Sequence, residues 1–292
     1  MEDFPIPVRM VGPGSQPAED AELQYLPLPR EMNVFRMPIV PELPEDAALA
    51  ASRDLLAEFL RKLGNWAPAG NAPGPRLDLA GASKTALEIT NQMLGEGEVS
   101  IRIDGARSFR IQESVFTGLW RVCEYAGDGA LTADWLEAAA LPRVVVEAAR
   151  AAALPRLAPA AIPPGAMNSP ALVSEIGAQM RASRPGRRAH VVNLTLFPLT
   201  PDDHAVLEAA LPVGPVALIS RGFGNCRITS TLARDVWRVQ YFNSMNTLIL
   251  DTIEIVEAPE SALAAAEDLA DSTTRLAELV EWMSESCAAP AG

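Results

Sequence analysis

The chain has 292 residues, room for two domains of ordinary size or for one unit built twice. Hydrophobic residues make up 49% and charged residues 21%, a globular balance that excludes wholesale disorder. The 24 Lys and Arg against 37 Asp and Glu leave a net charge of −13, the wrong sign for displacing counterions from phosphates, which excludes nucleic acid as the main partner.

No apolar run reaches the roughly 18–20 uncharged residues that a membrane span needs, so no membrane insertion is expected. The opening Met1-Glu2-Asp3-Phe4-Pro5 lacks the basic stretch of an export signal, which predicts a cytoplasmic protein. Cys123, Cys226 and Cys287 are odd in number and widely spaced, fitting neither a disulfide framework nor a metal knuckle. With two histidines, His190 and His204, the chain leans away from a triad or a zinc site, and no cofactor or enzymatic activity is expected.

In chain order, proline-rich residues 1–44 are expected to be extended. A helix should follow Pro44 over Glu45–Leu63, with Ala48, Leu55, Leu56, Phe59 and Leu60 largely on one face. Residues 45–142 form a first repeat with this leading helix, and 143–188 a helical connector. The connector's helices, Arg143–Ala153 and Pro170–Ala182, flank the linker Pro155–Pro164. A second repeat covers 189–258, and a closing helix, Ser261–Ser284, lies in the last stretch, 259–292.

The second repeat is the clearer one. Val191–Phe197 reads as a strand closed by Pro198. Thr200-Pro201-Asp202-Asp203 supplies a capping hydroxyl, a proline at the first helical position and acidic residues in the first turn, predicting a helix to Leu211 with Val206, Leu207 and Ala210 as its apolar stripe. Val216–Ser220, Cys226–Leu232, Val236–Phe242 and Thr247–Val256 read as four strands. Gly222 and Gly224 are expected to supply positive-φ positions in the first hairpin turn, and Asn243-Ser244-Met245-Asn246 makes the last turn.

Sliding the chain on itself by 117 residues brings Gly97 onto Gly214, Arg110-Ile111 onto Arg227-Ile228, Trp120-Arg121-Val122 onto Trp237-Arg238-Val239, and Asp134 and Glu137 onto Asp251 and Glu254. Residues 97–142 hold 12 identities in this ungapped register, where chance gives about 3. The fold expected is therefore α+β: an internally duplicated unit of strand, helix and antiparallel meander, with flanking helices.

Arg221-Gly222-Phe223-Gly224-Asn225-Cys226-Arg227 is the most distinctive local sequence. A glycine-rich turn can cradle an anion, but this one joins two strands instead of opening a helix as a dinucleotide fingerprint does. Cys226 stands near two arginines that would favour its thiolate, or is a half-buried strand cysteine. The matched Trp120 and Trp237 read as core, and His204 as a solvated helix residue. Asp251 and Glu254, like Asp134 and Glu137, are three apart on a strand and face opposite ways, which argues against one shared acid–base site.

The stretch from Leu196 to Glu254, above all Ser220–Thr231 and Trp237-Arg238-Val239-Gln240-Tyr241-Phe242-Asn243, resembles the carboxy-terminal region of the hydrogenase expression/formation proteins of the HupH/HyaF family. Asn33-Val34-Phe35-Arg36-Met37-Pro38 is similar to the family as well. The first repeat has lost the GFGNCR motif and carries Ile103-Asp104-Gly105-Ala106-Arg107-Ser108-Phe109 instead. The resemblance implies a cytoplasmic accessory protein for uptake [NiFe]-hydrogenase maturation. It would act on the iron–sulfur small subunit precursor before export, alongside a thioredoxin-like hydrogenase accessory protein. No family active site comes with it. The candidate interaction residues are Arg221, Gly222, Gly224, Asn225, Cys226, Arg227, Trp237, Tyr241 and Asn243. A non-enzymatic scaffold is the leading reading, a thiol-based redox or cluster-handling role for Cys226 the alternative.

Overall fold

The computed structural model describes residues 46–64, 66, 74–184, 186–222 and 224–288. The extended segment expected over 1–44, the family-like Asn33–Pro38 within it, and Phe223 lie outside those residues, as does the side chain of Cys287.

The first half runs α1 (Asp46–Leu63), β1 (Arg76–Asp78), α2 (Lys84–Leu94) and a four-strand meander, β2 (Val99–Ile103), β3 (Ser108–Glu113), β4 (Leu119–Tyr125) and β5 (Leu131–Ala138). The connector holds α3 (Arg143–Ala152) and α4 (Ser169–Ala182). The second half repeats the succession with β6 (His190–Asn193), α5 (Pro201–Ala210), β7 (Val213–Ser220), β8 (Asn225–Thr231), β9 (Val236–Phe242) and β10 (Leu248–Ile255), and α6 (Ala266–Ala288) follows. This is an α+β fold with one ten-stranded antiparallel sheet and, among the described residues, six α-helices.

Two expectations need correction. The run Val191–Phe197 is not one strand: after Asn193 the chain turns into a 3-10 segment, Leu194–Leu196, because the Asn193 side chain accepts a hydrogen bond from the Thr195 amide (3.0 Å) and starts that turn. The closing helix does not begin at Ser261, since a 3-10 turn over Glu260–Ala262 ends at extended Leu263, and Ala264 donates to the Ala140 carbonyl (2.9 Å) before α6 starts.

Strand order is β1-β5-β4-β3-β2-β7-β8-β9-β10-β6. Read from either end it gives the same series: lone strand, then fourth, third, second and first strand of a meander. The halves meet where β2 pairs with β7, in the register Val99↔Ser220, Ile101↔Leu218, Ile103↔Val216.

Alternation along the strands sends side chains to two faces with different cover. On one face the first half's Leu77, Leu119, Leu136 and Ala138 pack under α1, α2 and α6, with Leu56, Phe59, Met93 and Leu276 fully enclosed. On the same face of the second half, Val192, Val236, Ile253 and Ile255 pack under α4 and α5. The other face is covered in the middle: Ile101, Ile111, Trp120, Val122, Leu218, Ile228, Trp237 and Val239 enclose a core closed by Val145 of α3 and by Ala262. Arg150 fastens α3 down through ion pairs with Asp235 and Glu257 (2.8 Å each).

Helix starts follow the local chemistry. Ser83 caps α2 through the Ala86 amide (3.2 Å). Thr200 and Asp203 form a reciprocal capping box on α5, as the Thr-Pro-Asp-Asp sequence leads one to expect. Asp203 does more: its buried Oδ1 also accepts from the Met167, Asn168 and Ser169 amides (2.8–2.9 Å) and the Ser169 hydroxyl (2.8 Å), so one carboxylate caps α4 and α5 together. Burial alone would raise its pKa, but the hydrogen bonds from Ser169, Thr200 and Asn168 win and hold it well below the usual carboxylate range.

Candidate interaction site

The nine residues singled out by sequence do not converge on one site. Alternation along β8 and β9 divides them between the faces. Cys226, Trp237 and Tyr241 point into the central core, whereas Asn225 and Arg227 point to the opposite face and solvent.

Inside, Cys226 is 5% exposed and stands directly opposite Tyr241. Burial pushes its thiol up, against a downward pull from a hydrogen bond with Tyr241, and the nearby Glu254 charge adds to the rise. Instead of the thiolate-stabilising site that two neighbouring arginines suggested, the structure shows a thiol kept neutral: Arg227 projects away from it on the other face, and Arg221 is exposed in the turn. The Trp237 indole N–H donates to the Val256 carbonyl (3.2 Å), as Trp120 does to Ala139 (2.9 Å), a pair of bonds displaced by the same 117 residues.

Outside, Arg227 lies over the Phe242 ring, 5.2 Å from its centroid. Asn225 donates through Nδ2 to Asn246 Oδ1 (3.4 Å), and Asn243 Oδ1 accepts from the Met245 and Thr247 amides (2.9 Å each), closing the β9–β10 hairpin. Gly224 adopts φ +97°, a position that favours glycine. Gly222 does not share that conformation, which corrects the expectation of two positive-φ glycines. It instead lies against the Glu98 carboxylate, close enough for a Cβ to displace it.

Sequence reasoning missed a set of paired charges. Arg121 binds Asp134 in a bidentate fork (Nε–Oδ1 3.0 Å, Nη2–Oδ2 2.6 Å), and 117 residues on Arg238 binds Asp251 identically (3.0 and 2.7 Å). Both carboxylates are nearly buried, and their hydrogen bonds raise the guanidinium pKa values further. The signal was present: both Trp-Arg-Val triplets and both aspartates are matched in the 117-residue register. Glu137 lies on the other face, as argued, holding the Trp135 indole N–H (3.0 Å) and the Arg76 guanidinium (3.0 Å). His204 is exposed on α5. Among the described residues no group of three or more His, Cys, Asp or Glu is placed to hold a metal ion, and no helix is long and apolar enough to cross a membrane.

The description "HupH hydrogenase expression protein, C-terminal conserved region" matches residues 49–156 and 166–283. The chain belongs to the HupH family. It is 44% identical over 284 residues to the hydrogenase expression/formation protein HoxQ of Cupriavidus necator, covering 97% of this chain and 99% of that one. Identity is 40% to HupH of Rhodobacter capsulatus (96% and 98% covered) and 34% to the hydrogenase-1 operon protein HyaF of Escherichia coli K12 (95% and 96%). A solved structure of the hydrogenase expression protein HupH from Thiobacillus denitrificans is 26% identical, spanning 40% of this chain and 96% of its own, at a TM-score of 0.36.

Proposed function

We propose that this protein is a non-enzymatic chaperone or scaffold in the maturation of an uptake [NiFe]-hydrogenase, working in the cytoplasm on the iron–sulfur small subunit precursor before export. The observation that carries this reading is its end-to-end similarity to relatives named for hydrogenase expression and formation. The net charge of −13 supports attraction to a basic export signal, and the resemblance to the family adds a thioredoxin-like accessory protein as a second partner. The burial of Cys226 weighs against the redox alternative.

Binding measured with the precursor and with the same subunit lacking its signal tests the reading. The precursor should bind more tightly, with a marked salt dependence; equal affinity would show that the signal is not what is recognised. Iron and sulfide added to the purified protein should produce no cluster absorption, and an absorption band would favour cluster handling instead.

We further propose that the fold arose by internal duplication. Supporting this are the matched segments beginning at residues 49 and 166, 117 positions apart, the sheet order that reads alike from both ends, and equivalent strands β2 and β7 pairing with each other. Bulges fall at equivalent places too, beside Tyr125 and Leu131 in one half and beside Phe242 and Leu248 in the other.

A further inference from the structure

Among the described residues, the helices on the first face cover its two ends and leave its middle open. There the floor consists of β4, β3, β2, β7, β8 and β9, and alternation brings five arginines to it: Arg102, Arg110, Arg121, Arg227 and Arg238. The two acidic residues within these six strands, Glu113 and Glu124, face the other way, opposite Trp120 and Phe109. Among the described residues the carboxylates near this face stand at its margins: Glu98 before β2, Asp104 in the β2–β3 turn, Asp134 on β5, Asp251 on β10, and Glu208 of α5, whose charge acts on Arg238. Asp134 and Asp251 are committed to Arg121 and Arg238.

The other three arginines are not balanced in this way. Arg102 and Arg110 stand directly opposite each other, an arrangement of like charges that costs stability, and share one oxygen of Asp104 (2.7 and 3.8 Å). Arg227 is exposed and, among the described residues, forms no ion pair with a carboxylate. In a chain at −13, three exposed arginines here stand against one paired carboxylate, Asp104. The three lie on β3, β2 and β8, which at about 4.8 Å per strand spread their charge over roughly 15 Å. That is too wide for a single phosphate or carboxylate and suits a chain bearing several. Every floor strand is paired on both sides, so the occupant must be read through side chains and not by strand addition.

We infer that this open face docks an acidic segment of a partner polypeptide, gripped by Arg102, Arg110 and Arg227. The inference goes beyond the client named above and does not rest on it, because a basic export signal would be repelled here. Fluorescence anisotropy of the full chain with a labelled peptide of alternating Glu and Ser tests it. Saturable, salt-sensitive binding is expected, weakened at least about tenfold in the triple variant Arg102→Gln, Arg110→Gln, Arg227→Gln. The control triple Arg156→Gln, Arg187→Gln, Arg188→Gln makes the same change in net charge at exposed positions elsewhere and should retain binding. Should the first triple melt early, Arg227→Gln alone must show a smaller loss in the same direction. No saturable binding, equal loss in both triples, or tighter binding of an oligouridylate than of the acidic peptide would overturn the inference.

Discussion

Ile101 on β2 stands directly opposite Leu218 on β7, and the 117-residue register makes each the counterpart of the other. Two neighbours obey the same relation: Ser100 faces Ile219, and their respective counterparts, Ala217 and Arg102, face each other. An antiparallel pair does this only when equivalent strands meet across a local two-fold axis, as the subunits of a symmetric dimer do.

On the duplication proposed above, equivalent interactions should carry similar energies. Asp134→Asn and Asp251→Asn each leave an arginine fork without its charge. Because the arginine side chains are 26% and 32% exposed, each change should cost about 1.5–3 kcal/mol, below the range for fully buried pairs. Denaturant unfolding should give values agreeing within about 1 kcal/mol, and a several-fold disparity would contradict equivalence.

Glu113 predicts a dependence of stability on pH. Burial raises its carboxyl to about 7, against a hydrogen bond from the Gly118 amide (2.9 Å). A carboxyl whose folded pKa lies above its unfolded value binds its proton more tightly in the folded state. Its stabilising contribution is therefore full below about pH 4.5 and is lost as pH rises through about 7, on the order of 3 kcal/mol. Glu113→Gln should flatten this part of the stability profile and make the variant relatively more stable at pH 8 than at pH 5. An unchanged profile would remove Glu113 as its source.

The turn glycines should separate. Gly224→Val forces a β-branched residue to φ +97° and should cost about 1–3 kcal/mol, moving the β7–β8 hairpin. Gly222→Ala meets only the movable end of Glu98 and should shift the melting midpoint little. Equal damage at both positions would show that the turn depends on something other than backbone conformation.

Cys226→Ser exchanges a buried thiol for a hydroxyl opposite Tyr241, costing about 1–2 kcal/mol while leaving hydrogenase maturation largely intact. A folded, partner-binding, inactive serine variant would instead establish thiol chemistry.

Asp203→Asn should lower the melting midpoint more than Ser83→Ala. Asp203 satisfies donors at two helix starts, and an amide in its place would turn its own N–H groups towards some of them. Ser83 serves the start of α2 alone. A smaller effect at Asp203 would mean that the junction of α4 and α5 is held by packing.

Local chemistry made much of this molecule legible before any coordinates. Thr200-Pro201-Asp202-Asp203 marks the start of α5 because its capping groups are all contiguous, and the four strands of the second meander show in β-branched runs between turn residues. Where a side chain's partner lies far along the chain, sequence could not name it. Cys226 beside Arg227 looked electropositive, yet alternation along the strand sends the two to opposite faces, so adjacency in sequence became separation in space. Asp203 reaches back to Ser169, and Arg102, Arg110 and Arg227 share a face only because β2 pairs with β7. The sequence alone determined the 117-residue register of matched residues over 97–142 and the succession of strand, helix and meander. The tertiary structure decided how the halves join, which face each charge occupies and which arginines remain unbalanced, because those depend on strand register and on where helices cover the sheet, and neither is encoded within a single local segment.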